Sequence, residues 1–134
     1  MRRRILIADD HEVMRKGLKS LLATRTDWQV CGEASSGLEA IEKSLRLEPD
    51  VVLMDVSMPQ MDGLEAVRGI LKSRPDQKIV MYTMHESDIF TCAAMRAGAQ
   101  AAIAKSDSAE ELFHAIDSVL QGQQFFPAFG LLLN

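Results

Sequence analysis

The chain has 134 residues, 47% of them apolar and 25% charged. That is the make-up of one globular domain, not of a disordered or collagen-like chain. A net charge of −4 argues against a domain that binds nucleic acid by itself, because a phosphate backbone wants a basic face. DNA contact through a partner or a further domain stays open.

The elements follow in chain order. Arg2-Arg3-Arg4 precedes an apolar run of only Ile5-Leu6-Ile7-Ala8, which Asp9-Asp10 ends. This is too short for a secretory core or a membrane span, so the expected location is the cytoplasm, with no membrane partner. Continuous apolar runs recur at Val51-Val52-Leu53-Met54, Ile79-Val80-Met81-Tyr82 and Ala101-Ala102-Ile103-Ala104. Runs of this kind suit strands buried on both faces. A weaker strand is expected over residues 28–33.

Helix-period stripes lie between and after the runs. The first is Val13, Met14, Gly17, Leu18, Leu21 and Leu22. The second is Leu38, Ile41 and Leu45; the third is Leu64, Val67 and Leu71. The fourth is Ile89, Phe90, Ala93, Ala94 and Ala97, and the fifth is Leu112, Ala115, Ile116, Val119 and Leu120. Pro49 and Pro75 follow helices, Gly98 sits past the fourth, and Ser108-x-x-Glu111 has the spacing of a capping box. Met14, Met54, Met81 and Met95 are placed as core filler, and Trp28 is expected to be structural.

Five strand–helix units in sequence imply helices on both faces of a parallel sheet. Right-handed crossovers leave few topologies. The fold expected is an α/β, flavodoxin-like (βα)5 doubly wound sandwich, its parallel five-stranded sheet in the order 2-1-3-4-5.

Polar residues follow the strands. Asp9 and Asp10 come after the first, Asp55 after the third, Thr83 after the fourth and Lys105 after the fifth. Open α/β sheets bind ligands at this carboxyl rim. A single Asp there is usually a turn or cap residue, and Asp9-Asp10 could cap the first helix. Side chains of this kind at four strand ends together point to a site.

Clustered carboxylates repel and call for a cation. An incomplete set of hard oxygen ligands suits Mg2+, which keeps waters and shares phosphate oxygens. An Asp can act as a nucleophile toward phosphorus. Such a transfer needs positioning and positive charge, which Mg2+ and Lys105 would supply, with Thr83 as a hydroxyl donor.

These residues carry a resemblance. Ile5-Leu6-Ile7-Ala8-Asp9-Asp10-His11, the run Asp55-Val56-Ser57-Met58-Pro59-Gln60-Met61-Asp62-Gly63, then Thr83, and Gly98-Ala99 leading to Lys105 resemble the receiver domain of two-component response regulators. The likeness covers about residues 4–121. It implies Asp55 as phosphoacceptor, charged by a sensor histidine kinase. It implies Mg2+ bound by Asp10, by Asp9 largely through water, by Asp55 and by the backbone carbonyl of Ser57. Thr83 would bond the phosphoryl group and move inward, and Lys105 would pair with it. Pro59 and Gly63 would shape the loop, Gly through its access to positive φ and Pro by fixing φ.

Thr83-Met84-His85 and Lys105-Ser106 resemble the NarL/FixJ-type subgroup. There a DNA-binding helix-turn-helix domain usually follows the receiver, and none fits after residue 121. The expected organisation is a receiver over 1–121 and a linker or truncated tail over 122–134 leading toward a missing output domain; a stand-alone receiver is the alternative. The tail from Phe125 to Asn134 is apolar enough that it must pack, pair or risk aggregation. DNA would be reached only through the output domain, and a homodimer on phosphorylation is the implied response.

One departure stands out. Receivers commonly carry an aromatic residue on the fifth strand, where this chain has Ala102. Coupling by ring rotation is then lost, and the expectation is a signal passed by backbone and loop shifts, or weakly.

Other signals are weaker. Gly32-x-x-x-x-Gly37 has P-loop spacing but lacks the following Lys and Ser/Thr, and no dinucleotide fingerprint exists. Cys31 and Cys92 match no metal or redox spacing and read as two reduced, buried thiols. His11, His85 and His114 share no ligand spacing and read as surface or loop residues; His85, near Thr83, would influence phosphate lifetime. Two other functions compete with this one. A haloacid-dehalogenase-type phosphatase needs its second Asp two residues after the first, and Asp9-Asp10 does not provide that. A pseudo-receiver acting by protein interaction alone fits poorly with Asp9, Asp10, Asp55, Thr83 and Lys105 all present.

Overall fold

The computed structural model describes residues 2–84, 87–105 and 108–127. The chain alternates β1 (Arg3–Ala8), α1 (Glu12–Leu22), β2 (Trp28–Ala34), α2 (Gly37–Leu47), β3 (Val51–Asp55), α3 (Gly63–Ser73), β4 (Lys78–Thr83), α4 (Asp88–Ala97), β5 (Ala101–Ala104) and α5 (Ala109–Leu120). The five strands form one sheet in the order β2-β1-β3-β4-β5, and every neighbouring pair is parallel. This is the topology the apolar runs predicted, with β2 one residue longer than expected.

Side chains alternate across the sheet, so the core has two halves. Ile5, Ile7, Leu53, Val80 and Ile103 pack against Leu22 of α1 and Leu112, Ile116 and Val119 of α5. Leu6, Val52, Met54 and Met81 pack against Ala40, Val67, Ile70 and Ala94 of α2, α3 and α4. Strands β3, β4 and β5 and most of β1 are buried on both faces, which is why their sequences run apolar without alternating, while the edge strand β2 is only half-buried.

Several helix stripes need correction. Val13, Leu38 and Ile89 are exposed, by 84%, 60% and 84%, and Leu45 by 48%. The faces that meet the sheet are built from smaller residues: Gly37, Ala40 and Ser44 in α2, and Gly63, Ala66, Val67 and Ile70 in α3. In α4 the expected Ala94 and Ala97 are buried, joined by Thr91 in place of Ile89. Cys31 and Cys92 are free but half-buried rather than buried.

Met54 and Met81 are fully buried and Met14 and Met95 pack at the edge of the core, as expected of filler. Trp28 is buried, its ring under the Arg25 guanidinium at 3.9 Å and edge-on to Phe113 at 5.3 Å. Gly32 serves close packing instead of phosphate: a Cβ there would sit 2.7 Å from Leu47 Cδ1.

Local caps fix where the loops turn. The Ser36, Asp62, Ser87 and Ser108 side chains each accept a backbone N–H one turn into the following helix, satisfying donors that a helix start leaves open. The Ser36 helix adds a second bond, from Ser35 N–H to Glu39 Oε1 at 2.6 Å. Asp62, the last acid of the motif run, is therefore a cap. Helix α1 differs: His11 stands at its N-cap and makes no side-chain cap bond, so the Asp9-Asp10 pair is not spent on capping.

The described tail packs. Phe125 bridges to Ala101 at the edge of the sheet, with Phe125 N–H donating to Gln100 O at 2.9 Å and Ala102 N–H to Phe125 O at 3.2 Å. Phe126 is buried. Residues 128–134, His85 and Ser106 lie outside the described residues, and with them the expectations placed there.

Candidate functional site

Register brings the polar residues together. Ala8 is level with Met54, Asp55 with Tyr82 and Thr83 with Ala104. Asp9, Asp55, Thr83 and Lys105 thus leave four adjacent strands at the same rim. Asp9 and Asp55 are fully buried and Thr83 nearly so; Asp10 keeps 29% of its side chain exposed.

Lys105 links the carboxylates. Its Nζ lies 3.1 Å from Asp55 Oδ1 and 3.7 Å from Asp9 Oδ2, with a side chain only 6% exposed. Its backbone N–H donates to Thr83 O at 2.6 Å, which ties the ends of β4 and β5 together. Ser57 reaches Asp55 through its backbone N–H, 3.2 Å from Oδ1. The other oxygen, Asp55 Oδ2, is buried without a hydrogen-bond partner among the described residues.

Asp9 is saturated by contrast. Its Oδ1 accepts the His11 N–H at 2.8 Å, and its Oδ2 accepts the Tyr82 hydroxyl at 2.7 Å. Arg15 Nη1 donates to the Asp9 carbonyl at 2.7 Å.

The electrostatics divide accordingly. Burial pushes the Asp9 carboxyl up, but the Tyr82 hydroxyl, the His11 N–H and Lys105 outweigh it and hold it below its ordinary value. Burial pushes Asp55 up, the Asp9 charge adds to it, and the Lys105 bond does not fully offset them. Burial and the facing Asp9 carboxylate push the Tyr82 phenol up as well, so it stays a donor.

The loop after β3 is shaped by close approach. A Cβ on Gly63 would fall 2.3 Å from Asp55 O and 2.8 Å from Val56 Cα, and Gly63 N–H donates to Val56 O at 2.8 Å. The expected positive φ is not at Gly63. It belongs to Gln60, at 69°, inside a tight turn closed by Met61 N–H on Pro59 O at 2.7 Å.

Asp9, Asp10, Asp55 and Lys105 meet here, and Thr83 ends the neighbouring strand at the same rim. Two contributors were missed. Tyr82 sits in an apolar run of the sequence; a phenol buried in a strand needs a partner, and that is the signal for it. His11 was expected to share no ligand cluster. It is exposed as expected, yet one ligand atom from each of Asp9, Asp10, His11 and Asp55 falls within 4.8 Å of the others. His114 instead stacks on Phe125 at 4.6 Å.

This donor set and the unpartnered oxygen fit a divalent cation beside a nucleophilic carboxylate. The sheet order and the acid-bearing rim together define a doubly wound domain with an acidic site at its switch point.

The family described as response regulator receiver domain matches residues 5–117, and the chain belongs to it. Response regulator GacA of Pseudomonas viridiflava is 43% identical over 122 residues, spanning 91% of this chain and 57% of that protein. Response regulator protein VraR of Staphylococcus saprophyticus is 39% identical over 125 residues, 93% of this chain and 60% of that protein. The chain thus spans little more than half the length of these relatives.

Among solved structures, a LuxR-family two-component response regulator from Aurantimonas superposes with a TM-score of 0.93 at 32% identity, over 98% of this chain and 94% of that one. The response regulator domain of Thermotoga maritima CheB superposes at 0.84 and 34% identity, over 90% and 98%. Among the described residues, no helix is long and apolar enough to cross a membrane.

Proposed function

We propose that this chain is a phosphorylation-switched receiver in which Asp55 accepts a phosphoryl group from a sensor histidine kinase. The observation that carries the reading is the asymmetry of Asp55. Oδ1 is held by Lys105 and the Ser57 N–H, while Oδ2 is buried and unpartnered among the described residues. In the transfer, Oδ2 bonds to phosphorus, the bond from phosphorus to the donor imidazole nitrogen breaks, and that nitrogen keeps the electron pair and takes up a proton. Lys105 faces the charge that develops on the phosphoryl oxygens, and Thr83 offers a hydroxyl to one of them.

Mg2+ would be held by Asp10, Asp55 and the Ser57 carbonyl, with Asp9 acting through water, and would neutralise the phosphoryl oxygens. The saturation of Asp9 by His11 and Tyr82 supports the indirect role. The module turns over only its own aspartyl phosphate and no external substrate.

Residues 1–121 form the receiver in this reading, and 122–134 lead toward an output domain of helix-turn-helix type that contacts DNA. Signalling takes place in the cytoplasm, and phosphorylation promotes a homodimer. Ala102 is buried on β5 and leaves no ring to rotate there, so the signal travels by backbone shifts, for which the Lys105–Thr83 backbone bond is a direct route. Its loss or retention between structures with and without a phosphoryl mimic tests that route.

The test of the whole is intact mass after incubation with acetyl phosphate, with and without Mg2+, for the native chain and Asp55→Asn. A Mg2+-dependent gain of one phosphoryl group, absent in the variant, is expected. No gain in folded, Mg2+-binding protein would favour a pseudo-receiver that works by protein interaction alone.

A further inference from the structure

The acidic rim supplies oxygen ligands; the fold adds a nitrogen. His11 holds the N-cap position of α1 with φ −97° and ψ 111° and gives that helix no side-chain bond. Its backbone N–H is engaged by Asp9 Oδ1, which turns the residue back over the carboxylates. Nδ1 then stands 3.1 Å from Asp9 Oδ1 and 3.1 Å from Asp10 Oδ1.

Donors bound about 2.1 Å from one octahedral ion lie about 3.0 Å apart when adjacent and about 4.2 Å apart when opposite. His11 Nδ1 already stands at the adjacent separation from Asp10 Oδ1, and one ligand atom from each of Asp9, Asp10, His11 and Asp55 falls within 4.8 Å of the others. An independent observation points to the same place. Asp55 Oδ2 belongs to a side chain only 1% exposed and has no hydrogen-bond partner among the described residues. The His11 side chain is 64% exposed, so it can adjust toward an ion without disturbing the core.

We infer that His11 Nδ1 is a direct ligand at this rim, and that the site takes a divalent transition metal of the cobalt-to-zinc group more tightly than Mg2+. Oxygen ligands alone suit Mg2+, whereas imidazole raises affinity for the later, softer ions and adds little for Mg2+. The inference rests on the reading of the acidic rim as a metal site. Mg2+ enters through the oxygens, and the later ions through the oxygens and His11.

The test is calorimetric titration of the full chain with Co2+ and, separately, Mg2+, for the native protein, His11→Ala, His11→Gln and Asp55→Asn. Pulsed electron paramagnetic resonance with one equivalent of Cu2+ reads the nitrogen directly. Native protein is expected to bind Co2+ more tightly than Mg2+ and to show imidazole nitrogen modulation on Cu2+. His11→Ala is expected to lose that modulation and to weaken Co2+ binding at least about tenfold, since even residues one shell further out cost that much. The ratio of Co2+ to Mg2+ affinity should fall in that variant, and Asp55→Asn should weaken both ions.

Equal Co2+ affinity in native protein and His11→Ala overturns the inference, as does recovery in His11→Gln, which would make the role a hydrogen bond. In either case Mg2+-dependent labelling of Asp55 persists, so the receiver reading survives. Binding of neither ion would overturn the metal site itself.

Discussion

The hydroxyl of Tyr82 donates a 2.7 Å hydrogen bond to Oδ2 of Asp9, and Lys105 Nζ lies 5.0 Å from the centre of the same ring. One aromatic side chain on β4 therefore touches both the acid and the base of the site. It lies on the sheet face opposite Ala102, so it orients Asp9 and does not replace the missing β5 aromatic.

Removing only that hydroxyl isolates its role. Tyr82→Phe keeps the ring and leaves the buried Asp9 oxygen one donor short. The expected cost is about 1.5–3 kcal/mol, the range for a hydrogen bond to a charged group, read from urea unfolding at pH 7. The Asp9 carboxyl should titrate higher in the variant, followed by carboxyl NMR.

The two buried acids carry opposite pH signs. Asp9 is held below its ordinary value, so its stabilising contribution is present above the unfolded carboxylate range and is lost as pH falls through the lowered folded value. Asp55 is held above its ordinary value, so its charge costs stability at neutral pH and the cost is relieved as pH falls through the raised value. Asp55→Asn is therefore expected to be more stable than the native chain at pH 7. The difference should shrink as pH falls toward about 4, where free carboxylates protonate, as measured by thermal melts across pH.

Lys105 is the counter-case. Lys105→Met leaves Asp9 and Asp55 buried with their common cation gone. Breaking a buried ion pair from one side costs about 3–5 kcal/mol. Addition of Mg2+ should recover part of the loss, because an ion at the rim replaces the missing charge; denaturant titration with and without Mg2+ checks both.

Gly63→Ala tests the loop. The new methyl would meet Asp55 O at 2.3 Å, and backbone atoms do not step aside as a flexible side chain does. A destabilisation of about 1–3 kcal/mol is expected from overpacking. Because the displaced atom belongs to Asp55, the acetyl phosphate labelling rate should fall in protein that remains folded at the assay temperature.

The sheet order was legible because strands buried on both faces write continuous apolar runs, and short links leave few ways to connect them. The buried faces of α2 and α4 were less legible. Helices lie close to this sheet through Ala40, Ser44 and Thr91, which the apolar stripes leave out, whereas the large apolar Leu38 and Ile89 lie on the wet side. In the site, Asp9, Asp55, Thr83 and Lys105 could be placed because each ends a strand. The burial of a phenol signals only that Tyr82 needs a partner; which partner, and the place of His11, depend on strand register and on a backbone turn after β1.

The pairing of Phe125 with β5 has a mechanical meaning. Gln100 and Ala102 grip the tail by two backbone hydrogen bonds, and Lys105 follows directly on the end of that strand. Tension applied past Pro127 is resisted by the buried Phe126 and by these two bonds, and through them reaches the strand that leads to the lysine. The tail is thus a handle on the strand that leads to Lys105: a pull on the one end is felt toward the other.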